Sequence, residues 1–244
     1  MRTKKLNFLT YWKSYLYIHI LTSVNSTYKD FYCSTEMMTW ELLRNFVEKI
    51  CEGRDSSHGL LHMEAVATTA KRIVECDYAS VPEYQQLLLD AITVAWLHDV
   101  SDHKYDHDGT LDKQLDEFGF KNFPNFEHIK KVIKLISYSS ENKAILAGTP
   151  IDYEAVLGTY YATVRHIVSD ADKLEAIGAI GIERCIEFTQ HTNPSFTTEQ
   201  VNKAVHVHAE EKLLRLKDEF IRTPTGKQLA IPLHQQMVKM LEDM

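Results

Sequence analysis

One apolar stretch that stops on two polar residues restricts the fold more than anything else in this chain. Leu87, Leu88, Ala91, Ile92, Ala95 and Trp96 recur at helical spacing, with apolar neighbours between them. A helix that is apolar all round belongs at the centre of a domain, with other helices packed about it. This one runs into His98-Asp99. Burying an imidazole beside a carboxylate is costly unless both are satisfied. A divalent cation satisfies both, because these two groups are common ligands of first-row metals. The plainer alternative is a His-Asp pair at the point where the helix emerges into solvent.

The rest of the chain predicts an all-α class. Nine glycines and six prolines in 244 residues are few turn-formers, so the elements should be few and long. A first helix should start at Thr39 as N-cap, with Leu42, Leu43, Phe46, Val47 and Ile50 on one stripe. A second should cover His58 to Cys76, and the central one ends at His98-Asp99. Phe118 to Phe126, with Gly119 and Pro124, reads as an irregular connection, and Asn142 to Pro150 as a loop. Tyr153 to Phe188 reads as a long helix with a break near Ser169-Asp170. Ala204 to Ile221 and Thr225 to Leu241 then close a compact single-domain bundle over residues 37–244.

Residues 1–36 read as an extension. Phe8 to Val24 is rich in Tyr, Leu and Ile, but Lys13 and His19 interrupt it, and it is too short and polar for a membrane span. An extra amphipathic helix or tail is expected there, with a partner, membrane or homodimer contact as the alternative.

Charge narrows the partners. The formal net charge is −7, and no dense basic run exists outside Lys4-Lys5, which argues against duplex nucleic acid. An acidic protein still binds a small phosphorylated molecule when a metal supplies positive charge. Cys33, Cys51, Cys76 and Cys185 lie far apart with no Cys-x-x-Cys pair, as expected of free thiols in a reducing, cytoplasmic setting.

Two further segments carry candidate ligands. His58 and His62 are four apart, hence on one face if both are helical. Asp170 and Asp172 lie in a segment of small and apolar residues. Two positions apart on a helix is roughly 200° of rotation, so only one of them faces a given site. The other is free to cap a turn or orient a histidine.

In this order, a His, a His-Asp pair and a distant Asp on helices, the chain resembles the HD-domain superfamily of metal-dependent phosphohydrolases. His58-Gly59-Leu60-Leu61-His62, the segment from His98 to Lys104, the stretch from Asp170 to Gly181, and His208 ahead of Glu211-Lys212-Leu213-Leu214 resemble a bacterial-type branch of small HD proteins. The likeness covers roughly residues 39–241. Gly59 departs from it, since that branch commonly has Asp after the first His.

The resemblance implies a fold and a site. His62, His98, Asp99 and Asp172 would hold one divalent ion (Mn, Co, Ni, Fe, Mg or Zn), with Asp170 as the alternative last ligand. Asp102 would position or deprotonate the attacking water, on the same helix face as His98 if the helix continues. Lys104 would neutralise phosphate charge, and His58 would bind or protonate the leaving phosphate. Lys173 and His208 are weaker candidates for the pocket wall. The expected substrate is a nucleotide or related phosphorylated small molecule. Two other readings stand beside this one. A dinuclear-iron oxygenase or phosphodiesterase would draw on His103 and His107, whose spacing fits poorly. A non-catalytic metal- or nucleotide-binding regulatory module is the third.

Overall fold

The structure, a computed structural model, describes residues 34–54 and 58–244. The expected extension over residues 1–36 lies almost wholly outside them. Residues 42–244 form one compact unit by their contacts. Among the described residues every regular element is a helix.

Helix α1 covers 34–50, so Thr39 lies inside it and is not its cap. Within that unit, α1 buries Leu43 and Val47. Then come α2 (Leu60–Asp77), α3 (Tyr84–Leu97), α4 (Thr110–Asn122), α5 (Phe126–Ile133) and α6 (Tyr138–Leu146). After them run α7 (Tyr153–Glu175), α8 (Ala179–Thr192), α9 (Thr198–Glu211) and α10 (Pro224–Glu242).

Helix α3 is the centre, as its composition requires. Every residue from Ala91 to Leu97 is buried, and the helix packs on α2, α5 and α7. It stops at Leu97, with His98 as its C-cap, and a series of turns follows. The continuation that would have put Asp102 on the face of His98 therefore does not form.

Two expected connections are shorter than the sequence suggests: α4 runs to Asn122 and leaves only 123–125 before α5, and α6 runs to Leu146 and leaves 147–152 before α7. Gly119 is buried inside α4 because the Phe126 ring fills the space that a Cβ would take, 2.1 Å away. Residues 138–146 form α6, started by Ser137, whose side chain accepts the Ser140 N–H. The expected break in the long helix is displaced. The chain stays helical through Ser169-Asp170 and turns at Gly178, with φ +85°, a region open to glycine and costly for other residues. Gly181 then lets α8 approach closely, for a Cβ there would stand 2.2 Å from the Ala176 carbonyl oxygen. Near its start α7 also kinks, at Gly158. The stretch from Ala204 to Ile221 is not one helix: α9 ends at Glu211, and a 3-10 turn and a π turn carry the chain to Phe220.

No helix among the described residues is long and apolar enough to cross a membrane.

Candidate metal centre

Helix α2 carries His62, the end of α3 delivers His98 and Asp99, and α7 delivers Asp172. Their polar atoms converge. His62 Nε2 is 3.7 Å from Asp99 Oδ2 and 3.5 Å from Asp172 Oδ1. His98 Nε2 is 3.6 Å from Asp99 Oδ2 and 3.8 Å from Asp172 Oδ1. These separations are long for hydrogen bonds. They suit donors that share one ion, since ligand atoms stand about 2.0–2.2 Å from a small divalent metal.

The tautomer of His98 is set by its backbone neighbour. Its Nδ1 lies 2.7 Å from the Ala95 carbonyl oxygen, which only accepts, so Nδ1 carries the proton. In the neutral ring Nε2 then turns a lone pair toward two carboxylates. That atom is buried, with no hydrogen-bond partner among the described residues. Such an arrangement demands positive charge. Burial opposes charge on His98, but Asp99 and Asp172 outweigh it and push the ring up to about 9. His62 behaves oppositely: burial pushes it down to about 4 against the pull of Asp172, so it stays a neutral donor. Burial also works against the charge of Asp172, yet the His98 and His62 rings hold its carboxyl well below the usual range. Where a divalent ion takes the place of the proton on His98 Nε2, two imidazole nitrogens and two ionised carboxylates form a donor set that fits it.

Asp170 faces elsewhere. Its carboxylate accepts the backbone N–H of Arg222 at 2.9 Å and the hydroxyl of Thr223 at 2.7 Å, and it also accepts the Thr223 N–H. It thus pins α7 to the start of α10. Asp170→Asn should cost about 2 kcal/mol, because buried donors lose a charged acceptor. Urea unfolding will show it, while the metal content stays at the wild-type value.

A second cluster adjoins the first. Ligand atoms of His58, Asp99 and Asp102 all lie within 4.8 Å of one another. His58 stands just before α2 and not inside it, so its approach to the site comes from a turn. Lys104 Nζ is 3.1 Å from His58 Nε2. Asp102 is oriented by the Lys104 N–H, which donates to its Oδ1 at 2.8 Å. His103 and His107 are exposed.

Arg54 holds the turn that follows α3. Its guanidinium donates to the carbonyl oxygens of Asp99 at 2.9 Å and Val100 at 2.6 Å, and lies over the Tyr105 ring. Nothing in the order of the sequence marks this arginine, because its partners are backbone atoms 45 and 46 residues away.

The centre opens into a cavity of about 950 Å³. Lys104, Arg184, His208 and Lys212 line it. His208 is therefore where the sequence placed it. Lys173 borders the cavity, but its ammonium is committed to buried Glu141 at 3.2 Å and to Ser169. Arg184 has no sequence signal, since a lone basic residue on an amphipathic helix reads as a solvated face, and Lys212 stands in the segment after His208 with nothing local to give it a role. Lys212 lies over the Tyr138 ring, 5.0 Å from its centroid.

Behind the centre lies a buried charge cluster. Glu141 meets Arg165 at 2.8 Å, Lys173 at 3.2 Å and Arg222 at 2.7 Å. Burial alone would raise the Glu141 carboxyl, but these cations bring it down to about 2.

No protein-family model matches the chain. The uncharacterized protein YpgQ of Bacillus subtilis is 28% identical over 214 residues, spanning 86% of this chain and 93% of its own. The crystal structure of selenomethionine YpgQ superposes with a TM-score of 0.59 at 25% identity, over 85% of this chain and 95% of that one. YpgQ in complex with ADP gives 0.58 at 24% identity, over 86% and 94%. An HD-superfamily hydrolase from Bacillus thuringiensis gives 0.53 at 23% identity, over 85% and 95%. The chain shares its fold with an HD-superfamily hydrolase. The all-α class expected from the sequence is thereby the observed one.

Proposed function

We propose that this chain is a metal-dependent phosphohydrolase acting on a nucleotide or related phosphorylated small molecule. One observation carries the reading: buried His98 Nε2 faces Asp99 and Asp172, beside His62, on the floor of a cavity with basic walls. His62, His98, Asp99 and Asp172 would hold the ion. When bound, a divalent cation supplies Lewis acidity and a more acidic water. Asp102, held by the Lys104 N–H, accepts the proton of the attacking water. Lys104 and His58, 3.1 Å apart, take up charge on the departing phosphate or alcohol oxygen. Arg184 and Lys212 offset the remaining phosphate charge across the cavity. The ADP bound by YpgQ, a relative of the same fold, supports a nucleotide as the substrate class.

A second reading has one observation in its favour. His58, Asp99 and Asp102 make a second donor set that shares Asp99 with the first, as a dinuclear centre would. Against it, the Lys104 ammonium already puts a fixed cation 3.1 Å from His58 Nε2. Metal analysis of the purified chain separates the two, combined with phosphate and pyrophosphate release from a nucleotide panel. The expected result is one Mn, Co or Ni per chain, with release that stops on chelation and returns with the metal. Two irons per chain would sink the proposal. Nucleotide binding without any release would point to a regulatory module instead.

A further inference from the structure

Helices α8 and α9 pack on each other, are separated only by residues 193–197 and both line the cavity, so the chain runs out along one and back along the other and their lining residues fall in levels. Helix α8 begins beside the last turn of α7, just beyond Asp172, and leads away from the metal centre. Helix α9 leads back, and its Lys212 end returns to that centre. Arg184 donates to the carbonyl oxygen of Glu175, three residues past Asp172 on α7, and Lys212 lines the same cavity, so this pair marks the inner level. Four residues outward on α8 is Phe188, and four residues outward on α9 is His208. Four further along α8 comes Thr192, followed by Asn193. All six side chains line the cavity. Each level lies about 6 Å beyond the previous one, the rise of four helical residues.

Phe188 is the anomaly. It borders the cavity yet is 69% exposed, a large apolar ring with no core to join. The inner level offers two basic side chains to phosphate. The middle level offers two ring faces, and the outer level offers amide and hydroxyl groups suited to the polar edge of a heterocycle.

We infer that the α8–α9 wall is a nucleobase subsite, in which Phe188 is the stacking platform. His208 faces it from α9, and Thr192 and Asn193 meet the edge of the base. The inference rests on the proposed phosphate-binding centre only for which end of the ligand points inward. Stacking of a base on an aromatic side chain is worth roughly tenfold or more in affinity. It is tolerant of base identity, because every base has a π face. The subsite would therefore select nucleotides over sugar phosphates more strongly than one base over another.

The test uses the metal-loaded full chain and two uncleavable ligands. One is the phosphonate analogue of adenosine 5′-phosphate, with carbon in place of the bridging oxygen. The other is the matching ribose phosphonate without a base. Calorimetry should find the first bound roughly tenfold more tightly. Phe188→Ala should erase that difference while leaving the ribose compound unchanged, and Phe188→Trp should restore it. Equal weakening of both ligands by Phe188→Ala would overturn the subsite. So would an unchanged nucleoside affinity, or a wild-type chain that does not distinguish the two. Turnover is not part of the readout. A chain that prefers the base through Phe188 but hydrolyses nothing keeps the subsite and loses the phosphohydrolase reading. One that hydrolyses phosphate esters with no such preference does the reverse.

Discussion

His98→Ala will empty the metal centre and abolish metal-dependent phosphate release. Loss of an outer partner of a metal ligand already costs about 10–100-fold in affinity, and removing a ligand should exceed the upper figure. His98 is the strongest choice because its geometry leaves it no other role. Its Nδ1 proton is given to the Ala95 carbonyl, and its Nε2 has no protein partner among the described residues. Metal content after dialysis, measured beside phosphate release, checks the result. A variant that keeps both full metal and full activity would remove His98 from the centre. Helix α3 ends one residue earlier, so the helical content should be unchanged.

Glu141→Gln will cause the largest loss of stability of any single charge change in the unit. The carboxylate is 2% exposed and answers Arg165, Lys173 and Arg222 together. Neutralising it leaves buried Arg165 and Lys173 and the part-exposed Arg222 without their counter-charge, and breaking a buried pair in this way costs about 3–5 kcal/mol. The pH dependence has a definite sign. The folded-state value is about 2, below the ordinary 4.5, so the contribution is full above pH 4.5 and is lost as the pH falls toward 2. A shift of that size corresponds to about 3 kcal/mol. Urea melts between pH 2 and pH 5 should show the wild type weakening through that window and the variant lacking this component. A stability change below about 1 kcal/mol would show the cluster to be ornamental.

The parts of the fold that were legible in the sequence share a cause. The run from Leu87 to Trp96 is apolar on all sides, and such a helix has nowhere to go but the centre. His98-Asp99 inherits its position from that run. Elsewhere local rules lost to distant atoms. Gly119 looks like a helix breaker, and only the Phe126 ring, packed into the missing Cβ, makes it a good helical residue. Gly178 looked like one small residue among several, although it carries the turn that Ser169-Asp170 seemed to offer. Asp170 and Asp172 could be separated in direction by the pitch of a helix. Which of them turns inward depends on Thr223, more than fifty residues away. Arg54, Arg184 and Lys212 carry no local signature, because what distinguishes them is the backbone or cavity they meet.

Helix α7 is keyed in three directions within four residues. Asp170 is bonded to the start of α10, Asp172 faces the two histidines, and Lys173 is bound to Glu141. Each residue advances the direction by about 100°, so no rotation of the helix preserves more than one of these attachments. A slide along its axis breaks them as well. The helix has, in effect, no rigid-body freedom left. The floor of the cavity is a fixed datum against which ligands are measured. Accommodation of molecules of different size therefore falls to the lining that α7 does not supply, above all the α8–α9 wall.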